Sequence, residues 1–293
     1  MNDSVLERVL LSLNFTPSDI EYICPIDASE EYKRFILMLN VYIKGFVWPS
    51  VEDIAPYIQQ IDYFFTLLTE THKIDFAPFR LPTSKDNIVL LVFLLEETSL
   101  PYSLLKSWSK RSVHRCFVYD IFKIVDHHFH KHLCRFLLEN PVDEECQNLA
   151  KILAKFASID TFRIIYEAKE LDLNGCLYWA AISNNLPIVQ LLLRDPCLKL
   201  DQSMIDLLKQ LIMNGSYESF ILIFEACETT LTKEDISRLL NEALLNEELR
   251  KKDDPLNKST LDEDILRYVE KKSRELEEVL NLLKRHPNYS DEK

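Results

Sequence analysis

Glycine is almost missing from this chain: Gly45, Gly175 and Gly215 are the only three in 293 residues. Tight hairpins and phosphate-cradling loops both draw on glycine's freedom to take positive φ. A sandwich, a barrel and a nucleotide-binding loop are thereby excluded. Basic charge is also short, with 34 Lys and Arg against 47 Asp and Glu and a formal net charge of −13. Nucleic-acid phosphates need clustered cations, so no nucleic acid is expected among the partners, and the acidic balance suits a basic protein. The seven cysteines (Cys24, Cys116, Cys134, Cys146, Cys176, Cys197 and Cys227) are odd in number and form no CxxC pair. They read as free thiols in a reducing, cytoplasmic setting, several of them on apolar faces such as those of Cys134 and Cys176. Long apolar runs are missing too. The longest, Ile88 to Leu95, is too short to cross a bilayer. The start, MNDSVLERVLLSLNF, is an amphipathic helix without the basic segment of a secretory signal.

What is present is helix-forming. Leu, Glu and Lys dominate, and 47% hydrophobic and 11% aromatic residues indicate a packed chain. The expected class is all-α. Over residues 1–110 the starts are clear but no period is. Thr16-Pro17 caps one helix, Ser29-Glu30-Glu31 opens a second that ends near Gly45, and Ser50 to Asp53 opens a third around Pro56. Thr83 and Asp86 resemble a capping box before Ile88–Leu95. That run is apolar all round and is expected at the centre of its half.

From about residue 111 to 250 a period emerges. The clearest unit is Leu171–Asp201, LDLNGCLYWAAISNNLPIVQLLLRDPCLKLD. Leu177, Ala180 and Ala181 give a first helix a close-packing face. Asn184-Asn185 form a turn in which Asn tolerates the left-handed region, Pro187 starts a second, apolar helix, and Asp195-Pro196 stops it. Phe122, Ala150 and Leu208 stand in register with Leu177, at intervals of 28 (150−122), 27 (177−150) and 31 (208−177). Second apolar helices follow at Leu133–Leu138, Phe162–Tyr166 and Phe220–Phe224. Two short antiparallel helices cannot bury both faces on each other and need stacked neighbours. The Leu171–Asp201 unit resembles an ankyrin repeat, with Tyr178 at the usual His position and Asn184 at the usual turn Gly. The resemblance implies a helical-hairpin solenoid with its β-turn fingers shortened, since the intervals fall below 33; a related hairpin solenoid is the alternative. Residues 251–293 read as a polar linker, Arg250 to Ser259, and a Glu-rich amphipathic helix opened by Thr260, with a frayed end from His286 onward.

Candidate chemistry is thin. In Asp126-His127-His128-Phe129-His130-Lys131-His132, His128 and His132 have metal-ligand spacing, but the repeat register puts Phe129 at a turn that separates them. The cluster reads as a solvated or partner-facing turn, and neither a metal nor a cofactor is expected. No nucleophile signature surrounds a cysteine, and pairs such as Asp253-Asp254 and Glu277-Glu278 read as solvated charge. In an ankyrin-like unit, the residue after the His position points toward the concave face. Here that residue is Trp179, with Ile124, Ile152 and Gln210 as counterparts. The expected partner surface is Trp179, Ile182 and Gln210, with His127 and His128. The expected function is non-enzymatic binding of a protein partner. Two alternatives stand beside it. One is a bacterial effector acting inside a eukaryotic host cell's cytoplasm, which the Glu-rich last helix and short polar tail suggest. The other is a helical enzyme whose active site lies within residues 1–110.

Overall fold

In a computed structural model the described residues are 3–41, 47–70, 88–109, 121–122, 126–140, 142–199, 203–252, 263–287 and 289. Among them there are helices and turns but no strand, as the shortage of glycine and the excess of helix formers require. Side-chain caps set the starts. Thr16 and Asp19 form a capping box with Pro17 at the first helical position, and Ser50–Asp53 and Thr232–Asp235 repeat the device. Ser29, Asp143, Ser158 and Asp172 each accept one backbone N–H of a first turn. Such caps satisfy donors that the helix itself leaves open. Thr83, Asp86 and Thr260 lie outside the described residues, as do Gly45, Cys116 and Ile124.

The chain divides into two compact units, residues 1–170 and 171–293. The first contains α1 (Asp3–Ser12), α2 (Pro17–Ile23), α3 (Glu30–Asn40), α4 (Val51–Ile54), α5 (Ile58–Glu70), α6 (Ile88–Glu97), α7 (Leu100–Ser109), α8 (His130–Glu139), α9 (Glu144–Phe156) and α10 (Ile159–Ala168). Pro56 does not break the chain between α4 and α5; a 3-10 turn over Ala55–Tyr57 carries it through. At the centre is α7, which packs against α5, α6, α8 and α9. Its Trp108 is fully buried, with ring centroids 4.9 Å from Phe122 and 5.2 Å from Phe129. The apolar run in α6 buries Leu90, Leu91, Leu94 and Leu95, but Val89 is 73% exposed, so the run is not enclosed all round. No single helix among the described residues is long and apolar enough to cross a membrane; α6 and α7 together are bent by 88° at Thr98-Ser99.

The second unit contains α11 (Leu173–Ile182), α12 (Leu186–Leu193), α13 (Ser203–Asn214), α14 (Tyr217–Cys227), α15 (Lys233–Lys252) and α16 (Glu263–Arg285). Consecutive helices pair as α11 with α12, α13 with α14 and α15 with α16. The first members pack side by side, α11 on α13 and α13 on α15, and so do the second members, α12 on α14 and α14 on α16. Cys176, Leu177, Ala180 and Ala181 of α11 are fully buried, the small residues leaving room for the neighbouring backbone. Two further expectations are corrected, one in each unit. His286 is not frayed: it is buried against Phe224, ring centroids 5.7 Å apart, with Nε2 3.2 Å from the Glu228 carbonyl oxygen. Cys134 is exposed, while Cys146, Cys176 and Cys227 are buried, and burial pushes the Cys227 thiol up to about 11.

Candidate functional site

The turns of the second unit place its surface residues. Asn184 (φ 58°) and Gly215 (φ 71°) both occupy the left-handed region. Their separation (215−184) equals that between Leu177 and Leu208 (208−177). Each closes a helix with the same pair of hydrogen bonds. Asn185 N donates to Ala180 O and Ser216 N to Leu211 O, both at 2.9 Å; Asn184 N donates to Ala181 O and Gly215 N to Ile212 O at 3.0 and 3.2 Å. That is the Schellman geometry, which needs a residue able to take positive φ just past the helix end. One of the three glycines serves here, and an asparagine serves at the other turn.

Polar side chains tie each turn to the next. Asn184 Oδ1 accepts from Ser219 N and Oγ at 3.2 and 2.9 Å, and its amide donates to Glu218. Ser216 Oγ donates to Ile182 O at 2.9 Å, and Asn246 Nδ2 to Ile212 O at 3.0 Å. From α16, Lys271 reaches Glu218 at 3.2 Å and Lys272 reaches Gly215 O at 3.1 Å. The hydrogen bond from Asn184, reinforced by Lys271, holds Glu218 below the usual carboxylate range.

On this frame Trp179 is half-buried with its ring edge-on to Tyr178, centroids 5.7 Å apart. Ile182, one turn on, is half-buried, and Gln210 on α13 is exposed. More telling are residues that sequence reasoning missed. The large exposed apolar side chains of the second unit are Tyr178, Met213, Leu244, Leu245 and Leu249, all on α11, α13 and α15. Among the described side chains, α12, α14 and α16 contribute none. The interval from Leu177 to Leu208, applied to Ile182, leads to Met213 (58% exposed) and then to Leu244 (37% exposed). The same step would have found both in the sequence, had it been applied to the exposed face as well as the buried one.

The histidine cluster belongs to the first unit. Asp126–Phe129 form a 3-10 turn running straight into α8, with Phe129 itself in helical backbone, so Phe129 is not the inter-helix turn expected from the repeat spacing. Phe129 is buried and anchors the turn. His127 is exposed and its ring lies 3.8 Å from that of His128, whose Nδ1 is 3.5 Å from Glu96 Oε1. His130 Nε2 is 2.6 Å from the hydroxyl of fully buried Thr161, which donates to Asp126 Oδ2 at 3.0 Å. With that hydroxyl hydrogen spent on the carboxylate, His130 must donate through Nε2, which fixes its tautomer. His127, His128 and His130 border an open cleft of about 590 Å³, whose lining also includes Asp62, Glu96, Glu97, Lys131, His132 and Arg135.

No family model, no curated protein and no solved structure matches this chain. The functional reading therefore rests on its own side chains. Among the described residues no group of three or more His, Cys, Asp or Glu side chains could hold a metal ion.

The cleft carries a pH dependence. Burial, then the adjacent His127, hold His128 below the ordinary imidazole value of 6.5, against a smaller opposing pull from Glu96. Burial, then Lys131 and Arg135, do the same to His132, opposed by Asp62. The unfolded chain therefore takes up protons first as pH falls through about 6.5, and stability drops until the folded-state values are passed. Urea midpoints should fall between pH 7.5 and 5.5, and His128→Gln with His132→Gln should flatten that slope. A midpoint that rises toward pH 5.5 would contradict this account.

Proposed function

We propose that residues 171–293 form an ankyrin-like stack of three helical hairpins that binds a protein partner without catalysis, using the row α11, α13 and α15. The observation that carries this reading is the one-sided distribution of exposed apolar side chains. Scattered single apolar residues are ordinary on any surface, but here the exposed ones among the described residues of this unit all fall on the first helix of a pair, and Met213 and Leu244 stand one repeat step apart, in line with half-buried Ile182. The side-by-side packing of first with first and second with second helices, and the matched turns at Asn184 and Gly215, support the stack. A stack of hairpins offers its partner an extended row of equivalent positions, one set per hairpin. Trp179, Ile182 and Gln210 belong to that row, and Met213, Leu244, Leu245 and Leu249 extend it. A partner segment with apolar anchors fits such a row; aromatic and other large side chains at the centre of an interface supply most of its affinity.

The test uses a displayed library of helix-forming peptides selected on the full chain. Enriched peptides should carry apolar anchors. Met213→Asp with Leu245→Asp should weaken their binding by about thirtyfold, or roughly 2 kcal/mol, with stability changed by no more than about 0.5 kcal/mol, as is usual for exposed positions. Gln190→Asp with Asn281→Asp, on α12 and α16, should leave binding unchanged. The reading fails if the first pair is silent or if the second pair weakens binding as much.

A further inference from the structure

The cleft of the first unit separates charge by element. The acids come from one side: Asp62 from α5, and Glu96 and Glu97 from the last turn of α6. The bases come from the other: His127 and His128 from the 3-10 turn, and Lys131, His132 and Arg135 from α8. The carboxylates of Glu96 and Glu97 sit at a helix C-terminus, where the aligned peptide dipoles already make the potential negative. Nothing among the described residues neutralises Glu97 or pairs with Lys131, and both are exposed. The two sets meet where His128 Nδ1 lies 3.5 Å from Glu96 Oε1 and where Asp62 faces His132 and Arg135 closely enough to act on their charges. Arg135 is held in place, its Nε donating to Glu139 at 2.8 Å and its guanidinium lying 4.6 Å from the centroid of the Tyr102 ring. Asp62 is fixed as well, its Oδ1 accepting from Ser99 N at 2.6 Å. His132, half-buried, lines the same cleft.

From this arrangement we infer that the cleft binds a small zwitterion, one molecule carrying an ammonium and a carboxylate, such as a free amino acid or a short peptide. Sign decides the class. A simple anion attracted by Lys131 meets three carboxylates, and a simple cation attracted by Glu97 meets Lys131 and Arg135. Only a ligand with both charges finds a complementary partner on each side. The ammonium goes to Glu97 and Asp62, and the carboxylate to Lys131 and His132. At about 590 Å³ and open to solvent, the cleft has room for an amino acid or a di- or tripeptide. This inference concerns the first unit and is independent of the partner surface proposed for the second.

The experiment is isothermal titration calorimetry of the full chain at pH 7.5, with the twenty amino acids and a set of alanine-containing dipeptides as probes. Single-charge controls are the methyl esters (ammonium only) and the N-acetyl derivatives (carboxylate only). At least one zwitterion should bind, with its ester and its N-acetyl form each at least tenfold weaker. Whether amino acids or dipeptides bind more tightly separates the two sources of the ligand. Glu97→Gln should weaken the zwitterion and the ester but not the N-acetyl form, and Lys131→Gln should do the reverse. Both positions are exposed, and an unchanged melting temperature confirms that neither variant acts by unfolding. The inference is overturned if no zwitterion binds, if a single-charge control binds as tightly as its parent, or if both substitutions affect all ligands alike. Binding confined to folded proteins would also overturn it, and would assign the cleft to a partner's surface ion pair instead.

Discussion

Trp108→Ala should cost the first unit about 3–5 kcal/mol, the range for emptying a large, fully buried aromatic site. The ring is the meeting point of α7 with Phe122 and Phe129, themselves 5.1 Å apart between centroids. Phe129 ends the 3-10 turn that carries His127 and His128, so the loss should be felt in the cleft as well as in the core. Hydrogen-exchange protection should fall together in α7 and in the first turn of α8. Trp108→Phe makes the informative contrast. The indole Nε1 is buried with no hydrogen-bond partner among the described residues, and a buried donor left unpaired costs roughly 1–3 kcal/mol. Replacing it with Phe removes volume but also removes that burden, and should cost far less than Ala. If Phe is as damaging as Ala, the indole N–H has a partner and the account of this core is wrong.

Asn184→Ala should destabilise the second unit by about 2–5 kcal/mol, because two causes add. An alanine held in the left-handed region costs on the order of 1–2 kcal/mol, and the lost side chain leaves Ser219 N without its acceptor, a penalty of roughly 1–3 kcal/mol for a buried donor. Ser219 is fully buried, whereas Glu218 is open enough for water to replace the lost amide. Asn184→Gly separates the causes, since glycine takes φ of 58° freely and loses only the side-chain bonds. Its cost should be about half that of Ala, measured by urea unfolding. Equal costs would mean that backbone conformation contributes little at this turn; a neutral Asn184→Ala would remove the turn-to-turn ties from any account of how the hairpins hold together.

The helical class and several helix starts were legible, because caps and periodicity are local. Thr16, Ser29 and Ser50 announce themselves by residue type and spacing. The turn at Asn184 was legible for the same reason, and its partner at Gly215 lies on the repeat step. Other features depended on what is brought near in space. Val89 is as apolar as Leu90, and only the packing of α6 distinguishes the exposed residue from the buried one. Cys134 follows Leu133 on an apolar-looking helix but falls on its outer side. His286 sits in a polar tail, and its burial follows from the return of α16 to α14, which no local pattern records. The cleft is the clearest case. His127 to His132 stood out as a cluster, but Asp62, Glu96 and Glu97, which give it a second sign of charge, come from α5 and α6, far earlier in the chain. The exposed stripe was hidden differently: Met213 and Leu244 sit in helices whose apolar residues are otherwise mostly buried.

The distribution of tryptophan gives the molecule a built-in optical reporter. Trp48 and Trp108 lie in residues 1–170, while Trp179 is the sole tryptophan of residues 171–293. Its half-buried ring sits edge-on to Tyr178, at one end of the row assigned to partner binding. In the Trp48→Phe, Trp108→Phe background, emission therefore comes from the second unit alone. A single chromophore then follows both the unfolding of the hairpins, as a red shift, and the arrival of a partner, as a blue shift when water leaves the indole.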